Sequence, residues 1–337
     1  MSITKDVKAE LGRRVASATE PDFLDERIRP FMNGDGRDDV AGEWGVRVVQ
    51  LDSTGAATVE LRQYPGGPAI FAKFFPPHTE GQAIYEKLLA MRQAGLGAGS
   101  KYQVVEPLGY LPELDLLVCK EADGPSAAEE IASGDDARTL HAVSESASWL
   151  GTLHGSGLRI GAAHSLLVSA EILSLTRRMS KVAMDRPEYV PEALDKIDQL
   201  ERLALTTVDG LTVQSHGQYR PIHVFLGGGV TTVIDLDRSR PSDPARDTAE
   251  YLHRLRRQLL GAGRVETAEA ATRVFLDAYR AAVPDGDTWT ANLRFHWARY
   301  VFHSMNRKMK KGSTEEDMAV VGAYRADFDA LLGGGLL

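Results

Sequence analysis

The fold of this chain is predicted from the stretch Leu211–Leu255. Its sequence is LTVQSHGQYRPIHVFLGGGVTTVIDLDRSRPSDPARDTAEYLHRL. Two short apolar runs, His223–Leu226 and Val230–Ile234, are joined by three glycines, which predicts a β-hairpin. Because side chains alternate across a strand, His223 and Asp235 are expected to lie diagonally on one face of it. At that spacing an imidazole and a carboxylate can reach one ion between them.

The same residues resemble the catalytic and metal loops of the aminoglycoside phosphotransferase-like family, which are small-molecule kinases of the protein-kinase-like fold. The family pattern is H-G-D-x-x-x-x-N, a short hairpin, I-D-F/W, and then D-P-x-x-D-L-A. The matching segments of this chain are His216-Gly217-Gln218, His223, Ile234-Asp235-Leu236, Asp243-Pro244 and Asp247-Thr248-Ala249. Two positions depart from the pattern: Gln218 stands where the family has its catalytic Asp, and His223 stands where it has a metal-binding Asn.

Composition sets the broad class of the protein. A length of 337 residues accommodates one large domain or two packed lobes, and 43% hydrophobic with 26% charged residues is typical of a globular chain. The formal charge of −8 argues against a general nucleic-acid partner. Cys119 is the only cysteine, so an intrachain disulfide is excluded. No apolar run approaches the length of a membrane helix, so we expect no membrane partner and a cytoplasmic location.

The predicted fold class is α+β. Five β-rich runs separated by turn residues precede residue 120, and helical periodicity dominates after residue 124; the runs are Val46–Leu51, Ala57–Gln63, Ala69–Phe75, Tyr102–Leu108 and Leu114–Cys119. The resemblance implies a two-lobed protein-kinase-like fold, with an N-terminal lobe built on an antiparallel five-stranded sheet and a helix-rich C-terminal lobe. The expected divisions are a helical N-terminal extension, a β-rich nucleotide-binding lobe, a hinge and a helical lobe carrying the hairpin, with bounds 1–41, 42–119, 120–126 and 127–332.

Lys73 lies inside the third predicted strand, flanked by apolar residues. A strand lysine is often merely exposed, but the resemblance implies that Lys73 grips the phosphates of ATP. The predicted helix Thr79–Gln93 then supplies a glutamate that orients the lysine. Glu86 is the expected residue and Glu80 the alternative, whereas a glutamate on an amphipathic helix is otherwise simply solvated.

The segment Leu116–Gly124 resembles the hinge between the lobes, an apolar strand that runs into a polar connector ending in glycine. The resemblance implies that backbone groups from Lys120 to Ala122 bind the adenine edge. Cys119 would lie beside the adenine as a small, polarizable wall residue.

The resemblance also implies a divalent ion, Mg²⁺ or Mn²⁺, held by Asp235, with Asp237 as a second carboxylate two residues along. The alternative for Asp235 is a turn cap. His223 has two open interpretations. An imidazole suits Mn²⁺ or Zn²⁺ better than Mg²⁺, so His223 is either a metal ligand or a hydrogen-bonding partner that holds Asp235 in place.

Gln218 has no titratable group, so it cannot take a proton from a substrate hydroxyl. A general base contributes typically 10²–10⁴-fold, so its loss slows transfer without abolishing it. Gln218 can still orient a hydroxyl, and the base would be His223, His216 or the substrate itself. Arg220 either neutralises a phosphate or faces solvent. In the family the histidine braces the loop against the later aspartate, here Asp247.

A basic cluster, Arg307–Lys311, lies near the C-terminus, with His303 one turn and Arg299 two turns earlier. Cations at a helix end complement the helix dipole, which is one interpretation. The other is a docking patch for an anionic substrate.

Three functional hypotheses follow. The first is an ATP-dependent phosphotransferase acting on a small molecule that carries a hydroxyl, with Lys73 and Asp235 facing a shared polyphosphate. The alternative is a catalytically impaired pseudokinase, a nucleotide-binding regulatory or scaffolding protein with a protein partner. The third is a two-lobed protein whose pocket serves an unrelated ligand.

Overall fold

The computed structural model describes residues 5–32, 43–51, 56–63, 69–76, 79–163, 168–208, 210–309 and 314–335. The chain divides into two compact units. The first comprises Met1–Asp123 with Thr232–Ile234, and the second comprises Gly124–Thr231 with Asp235–Leu337.

The first unit contains the antiparallel five-stranded sheet that the turn-separated runs predicted. Its strands follow the order β1-β2-β3-β6-β5. The strands before residue 124 are β1 Trp44–Leu51, β2 Ala57–Gln63, β3 Ala69–Phe74, β4 Tyr102–Val104, β5 Pro107–Leu111 and β6 Leu116–Lys120. The fold class, a sheet lobe with a helix-rich remainder, is confirmed.

The predicted strand Tyr102–Leu108 is wrong as one continuous strand. The chain leaves the extended pairing after Val104 and resumes it at Pro107, so the segment is divided into β4 and β5. The amide of Val105 donates to the carbonyl of Val233 at 2.9 Å, so this segment pairs with the returning piece Thr232–Ile234 outside the five-stranded sheet.

Three N-terminal helices share the core of the sheet; they are α1 Lys5–Ala18, α2 Pro21–Phe23 and α3 Arg29–Met32. Leu11, Leu24 and Ile28 are buried in the same apolar cluster as the inward-facing residues of β2, β3 and β6. The guanidinium of Arg14 donates to the carbonyls of Leu114 and Phe75 at 2.9 and 3.0 Å. The described part of the predicted N-terminal extension is therefore helical and packs against the sheet. One further helix of this unit, α4 Gly81–Met91, carries Glu86.

The second unit is mainly helical. Its helices are α5 Ala127–Ala132, α6 Asp136–Gly155, α7 Val168–Asp185, α8 Val190–Ala204, α9 Ala245–Gly261, α10 Val265–Ala282, α11 Gly286–Thr290, α12 Leu293–Lys308 and α13 Glu315–Gly333. Its strands are the antiparallel pair β7 Val213–Ser215 and β10 Arg240–Ser242, with β8 Val224–Gly227 and β9 Val230–Val233 between them in sequence. None of the helices in the described ranges combines the length and the apolar character needed to cross a bilayer.

A continuous aromatic stack fills the core between α6, α9 and α10. Ring centroids are separated by 5.6 Å between Trp149 and Tyr219, 5.2 Å between Tyr219 and Tyr251, and 4.6 Å between Tyr251 and Phe275. All four side chains are fully buried. Offset aromatic pairs add to the free energy gained from burying their area, so this stack holds Tyr219 in place beneath the polar loop that surrounds it.

A half-buried ion cluster connects α7 to α9 and α12. Glu171 accepts from Arg246 at 2.6 Å and from Arg299 at 3.0 Å. Burial alone would raise the pKa of Glu171, but the charges of Arg299 and Arg246 outweigh it and lower the pKa to about 2.

Candidate active site

Strands β8 and β9 are joined by a two-residue turn, Gly228-Gly229, with φ angles of 58° and 76°. Both positions require positive φ, as in a type I′ turn, so glycine fits each of them. Gly227 belongs to β8 and not to the turn. His223 lies one residue before β8, at the end of the 3₁₀ turn Pro221–His223, so the prediction that His223 lies within the strand is wrong. Pro221 explains this, since its fixed φ and missing N–H suit the start of a turn.

Asp235 follows β9 in a left-handed backbone conformation, with φ 63° and ψ 46°. Within the described ranges, Asp235 and Asp115 are the only residues other than glycine with positive φ. Such a conformation costs roughly 1–2 kcal/mol and persists only where the surroundings impose it. The Asp235 carboxylate, 30% exposed, lies with Oδ2 3.5 Å from Nε2 of His223. The expected proximity of these two side chains is present.

His223 is held at one edge of its ring and on one face. Its Nδ1 lies 3.0 Å from the carbonyl oxygen of Gln218, so Nδ1 carries the proton and donates it. Its ring stacks on that of His216, with centroids 5.5 Å apart and planes inclined by 10°. Burial and then the neighbouring His216 lower the pKa of His223 to about 3, with Asp235 opposing the shift. His223 is therefore neutral, and Nε2 presents a lone pair toward Asp235.

Gln218 contacts Arg220 through its side chain. In the orientation that pairs donors with acceptors, Gln218 Oε1 accepts from the guanidinium of Arg220. Arg220 Nε donates at 2.7 Å to Glu250, which is buried on α9 and also accepts from Tyr300 Oη at 3.1 Å. Arg220 is therefore anchored by an ion pair on one side and by Gln218 on the other. Neither sequence interpretation of Arg220 had anticipated the ion pair with Glu250.

Asp247, fully buried at the start of α9, fixes the loop through its backbone. Its Oδ2 accepts from the amide of His216 at 2.6 Å, and its Oδ1 accepts from the amide of Gly217 at 2.9 Å. His154 Nε2 lies 3.4 Å from Oδ2, and Tyr279 Oη holds the other ring nitrogen of His154 at 2.7 Å. Burial would raise the pKa of Asp247, but the contacts with His154 and His216 outweigh it and lower the pKa. The His216 amide therefore supplies one contact of the brace expected between His216 and Asp247.

Gly217 occupies the tightest point of the loop. Its φ is 84°, and a Cβ at this position would overlap the carbonyl oxygen of Arg238. Glycine is required here both for the backbone angle and for the close approach of another segment. Its neighbour His216 has no exposed surface, and His216 Nδ1 accepts from the amide of Gln218 at 3.3 Å.

Two further acidic positions differ in exposure. Asp243 is buried; its Oδ1 accepts from the amide of Ala245, and its Oδ2 accepts from Asn292 at 2.6 Å. Asp243 therefore shapes the start of α9. Asp237 is half-buried in the 3₁₀ turn that follows Asp235. Among the described residues, no set of three His, Cys, Asp or Glu side chains is arranged to hold a metal ion without other ligands.

The remaining predicted site residues belong to the first unit. Lys73 is half-buried on β3, and its Nζ lies 5.8 Å from the ring of Phe75. Glu86 is exposed on α4 and accepts from Gln82 at 2.9 Å. The ion pair between Lys73 and Glu86, and the meeting of Lys73 with Asp235, stay predictions.

The hinge residues lie at and just after the end of β6. Cys119 is buried, and Ala122 is half-buried. The amide of Lys120 donates to the carbonyl of Glu106 at 2.9 Å, so this donor is already used within the sheet lobe. Gly124 has a φ of 83°, and a Cβ added at this position would collide with the carbonyl of Leu226. Both facts explain why the connector ends in glycine.

Comparison with protein-family models gives one match, to the phosphotransferase enzyme family, over residues 41–284. That span is well over half of the chain. The chain belongs to this family. Membership supports a small-molecule phosphotransferase in general. No curated protein sequence matches the chain.

Solved structures show the same fold at low sequence identity. A choline kinase from Cryptosporidium parvum Iowa II aligns with a TM-score of 0.61 and 12% identity, over 94% of this chain and 98% of that chain. An amicoumacin kinase, solved in complex with AMP-PNP, Ca²⁺ and Ami, aligns with a TM-score of 0.60 and 14% identity, over 98% and 96%. A thermostable mutant of an aminoglycoside phosphotransferase aligns with a TM-score of 0.55 and 13% identity, over 86% and 94%. These likenesses establish a shared fold.

Proposed function

We propose that this protein is an ATP-dependent phosphotransferase that transfers a phosphoryl group to a hydroxyl of a small molecule. The observation that carries the proposal is the pair formed by His223 and Asp235, held 3.5 Å apart beside a loop whose backbone is fixed by Asp247. Family membership over residues 41–284 supports the reaction class.

The chemistry of the His223–Asp235 pair fits a divalent ion. With His223 neutral and donating from Nδ1, its Nε2 and Asp235 Oδ2 lie 3.5 Å apart and could both bind one cation. One nitrogen and one carboxylate ligand suit Mn²⁺ better than Mg²⁺, and Asp237 and the nucleotide phosphates would complete the coordination. The bound ion would neutralise charge on the phosphates. That a related kinase was solved with AMP-PNP and Ca²⁺ supports the use of a nucleotide with a divalent ion.

In the proposed reaction the acceptor oxygen forms a bond to the γ-phosphorus. The bond from that phosphorus to the bridging oxygen breaks, and ADP leaves with the electron pair. Gln218 cannot accept the hydroxyl proton, and His216 is fully buried with Nδ1 already engaged. In this proposal His223 Nε2 binds the ion and does not act as the base. The proton therefore passes to the transferred phosphoryl group or to solvent, which a loose transition state tolerates at a reduced rate. Lys73 grips the phosphates, Glu86 orients it, and Cys119 to Ala122 border the adenine.

Ligand-dependent thermal stability tests the nucleotide site. We expect ATP with Mn²⁺ to raise the melting temperature of the native chain, because a ligand present at about 100 times its Kd stabilises the folded state by about 2.7 kcal/mol. Asp235→Ala should abolish this shift. Asp277→Ala, at an exposed position on α10, is the matched control and should retain it. The absence of a metal-dependent shift in the native chain would refute the proposal.

A second candidate, a nucleotide-binding protein without transferase activity, is favoured by one observation: Gln218 lacks a proton acceptor and its amide oxygen is committed to Arg220. Gln218→Asp separates the two candidates. A competent site should release ADP about 10²–10⁴-fold faster in the variant when hydroxyl compounds are supplied. ATP binding without ADP release in either the native chain or Gln218→Asp would support the second candidate.

A further inference from the structure

The second unit contains a cavity of about 800 Å³ next to the altered loop. Its walls come from the turn that carries Arg220, the C-terminal half of α9, the end of α12 and the outer face of α13. The volume lies in the range of small-molecule sites. Arg220 connects the two features, since it lines the cavity and also contacts the side chain of Gln218.

The polar lining of the cavity is mainly cationic. Arg220, Arg254, Arg257 and Lys308 line it, and Glu316 is the one carboxylate among the lining residues of the described chain. The apolar part of the wall includes Pro221, Ile222, Leu260, Val320 and Tyr324. A ligand that fits this lining combines an anionic group with an uncharged body.

The four cations differ in how far they are already neutralised. Arg220 is paired with Glu250, and Lys308 is paired with Asp317. Arg254 reaches the same Glu250 only at 3.6 Å. Arg257 makes no ion pair with any described residue. Arg254 and Arg257 are one helical turn apart on α9, so like charges face each other across that turn.

Arg254 has an unmet hydrogen-bonding group at this site. Its Nε is buried and has no hydrogen-bond partner among the described residues. Burial first, and then the charge of Arg220, lower the pKa of Arg254, with Glu250 opposing the shift and Arg257 adding to it. An oxyanion beside Arg254 would satisfy the donor and reduce the repulsion.

We propose that this cavity receives the phosphate acceptor and that an anionic group of the acceptor, a carboxylate or a phosphate, binds Arg254 and Arg257. The proposal rests on the phosphotransferase function proposed above and narrows its substrate class to anionic hydroxyl compounds. A cationic acceptor would be repelled by Arg254 and Arg257, the two cations of the wall that are least neutralised. The basic cluster at the end of α12 that the sequence drew attention to contributes Lys308 to this wall, whereas Lys310 and Lys311 lie outside the described residues.

The first experiment measures binding by calorimetry, without nucleotide, for four matched three-carbon alcohols: glycerate, glycerol 3-phosphate, glycerol and the amine serinol. We expect glycerate or glycerol 3-phosphate to bind, and the stronger of the two identifies the anionic group as carboxylate or phosphate. Arg254→Gln and Arg257→Gln should each weaken that binding by about tenfold or more, because each removes a charge-assisted hydrogen bond. Arg273→Gln, at an exposed position on α10, should leave it unchanged.

Several outcomes would overturn the proposal: neither anion binds at millimolar concentration, glycerol or serinol binds as tightly as the anions, or both arginine variants bind like the native chain. Because Arg257 has no ion pair to lose, Arg257→Gln should keep the native melting temperature, and its result is not confounded by misfolding.

The second experiment follows ADP release with the same four alcohols, beside the melting shift produced by ATP with Mn²⁺. ADP release that requires an anionic alcohol and has a raised KM in Arg257→Gln supports both proposals. ADP release with glycerol or serinol that is unaffected by Arg257→Gln overturns the anionic acceptor and leaves the phosphotransferase standing. Arginine-dependent anion binding without any ATP response overturns the phosphotransferase, and the anion site remains.

Discussion

Replacing Asp247 by alanine tests whether the altered loop is fixed from α9. The substitution leaves the amides of His216 and Gly217, now 2.6 and 2.9 Å from a carboxylate oxygen, without that acceptor. The His216 amide is buried, and a buried unsatisfied donor costs about 1–3 kcal/mol, whereas Gly217 is exposed and its amide costs less. Removing a buried carboxylate also relieves its own desolvation, which offsets part of this. We expect a loss of about 2 kcal/mol, which is a large fraction of typical stability.

Urea unfolding monitored by tryptophan fluorescence suits this test. Trp149, on α6, stacks on Tyr219 of the loop, so its fluorescence reports on the unfolding of the second unit. Asp247→Asn keeps one acceptor oxygen and should lose about half as much stability as Asp247→Ala. Asp277→Ala is exposed and should stay within about 0.5 kcal/mol of the native chain. If Asp247→Ala and Asp277→Ala unfold at the same urea concentration, the two amide bonds do not fix the loop and the reasoning fails.

Two other substitutions test the same unit. Gly217→Ala should destabilise the fold more than Gly134→Ala, as measured by thermal melts of the two variants. Both residues have positive φ, at 84° and 81°, but only at Gly217 would a Cβ collide with another segment, at the carbonyl of Arg238. Glu171→Gln should reduce the decrease in the free energy of unfolding that accompanies acidification. The folded pKa of Glu171, about 2, lies below the ordinary value of 4.5, so its contribution of about 3 kcal/mol is complete above pH 4.5 and is lost as the pH falls toward 2. Equal slopes for Glu171→Gln and the native chain in melts from pH 3 to 5 would contradict this.

The sheet was predictable because its strands are local features. Alternating runs separated by turn residues predict β1, β2, β3 and β6 without knowledge of their partners. The segment around Val105 was not predictable in this way, since its partner is Val233, far away in sequence. Long-range pairing leaves no local periodicity, so the sequence around Val105 does not show where one strand ends and the next begins.

In the candidate site, too, local features were predictable and features that depend on distant residues were not. The proximity of His223 and Asp235 followed from two runs joined by a short glycine turn, a local feature. Glu250 and Tyr219 were missed because their roles depend on tertiary partners: an arginine of the loop for Glu250, and an aromatic stack for Tyr219. The sequence did contain one indication of the role of Glu250. Glu250 follows Asp247 by three residues, and on a helix this spacing places both side chains on the same face.

The cationic cavity could not have been predicted, because segments far apart in sequence build it: the Arg220 turn and helices α5, α9, α12 and α13. Arg254 and Arg257 are visible in the sequence as neighbours on one helical face, but most such pairs are solvated. What distinguishes them is a buried Nε without a partner and a wall supplied by α13. Both facts depend on how the helices pack.

Most of the contacts that hold the loop come from residues other than Gln218, whose own side chain contacts Arg220. Asp247 holds the backbone of residues 216 and 217, the aromatic stack holds Tyr219, and Glu250 holds Arg220. An exchange of Gln for Asp at position 218 should therefore change the chemistry of the loop and its contact with Arg220, and should leave the backbone in place. It follows that the kinase-like fold is not itself evidence of catalysis, since the same shape would persist in an inactive protein. It follows equally that Gln218→Asp places a carboxylate in an intact frame, so that its effect on ADP release measures the missing base and not a repaired fold.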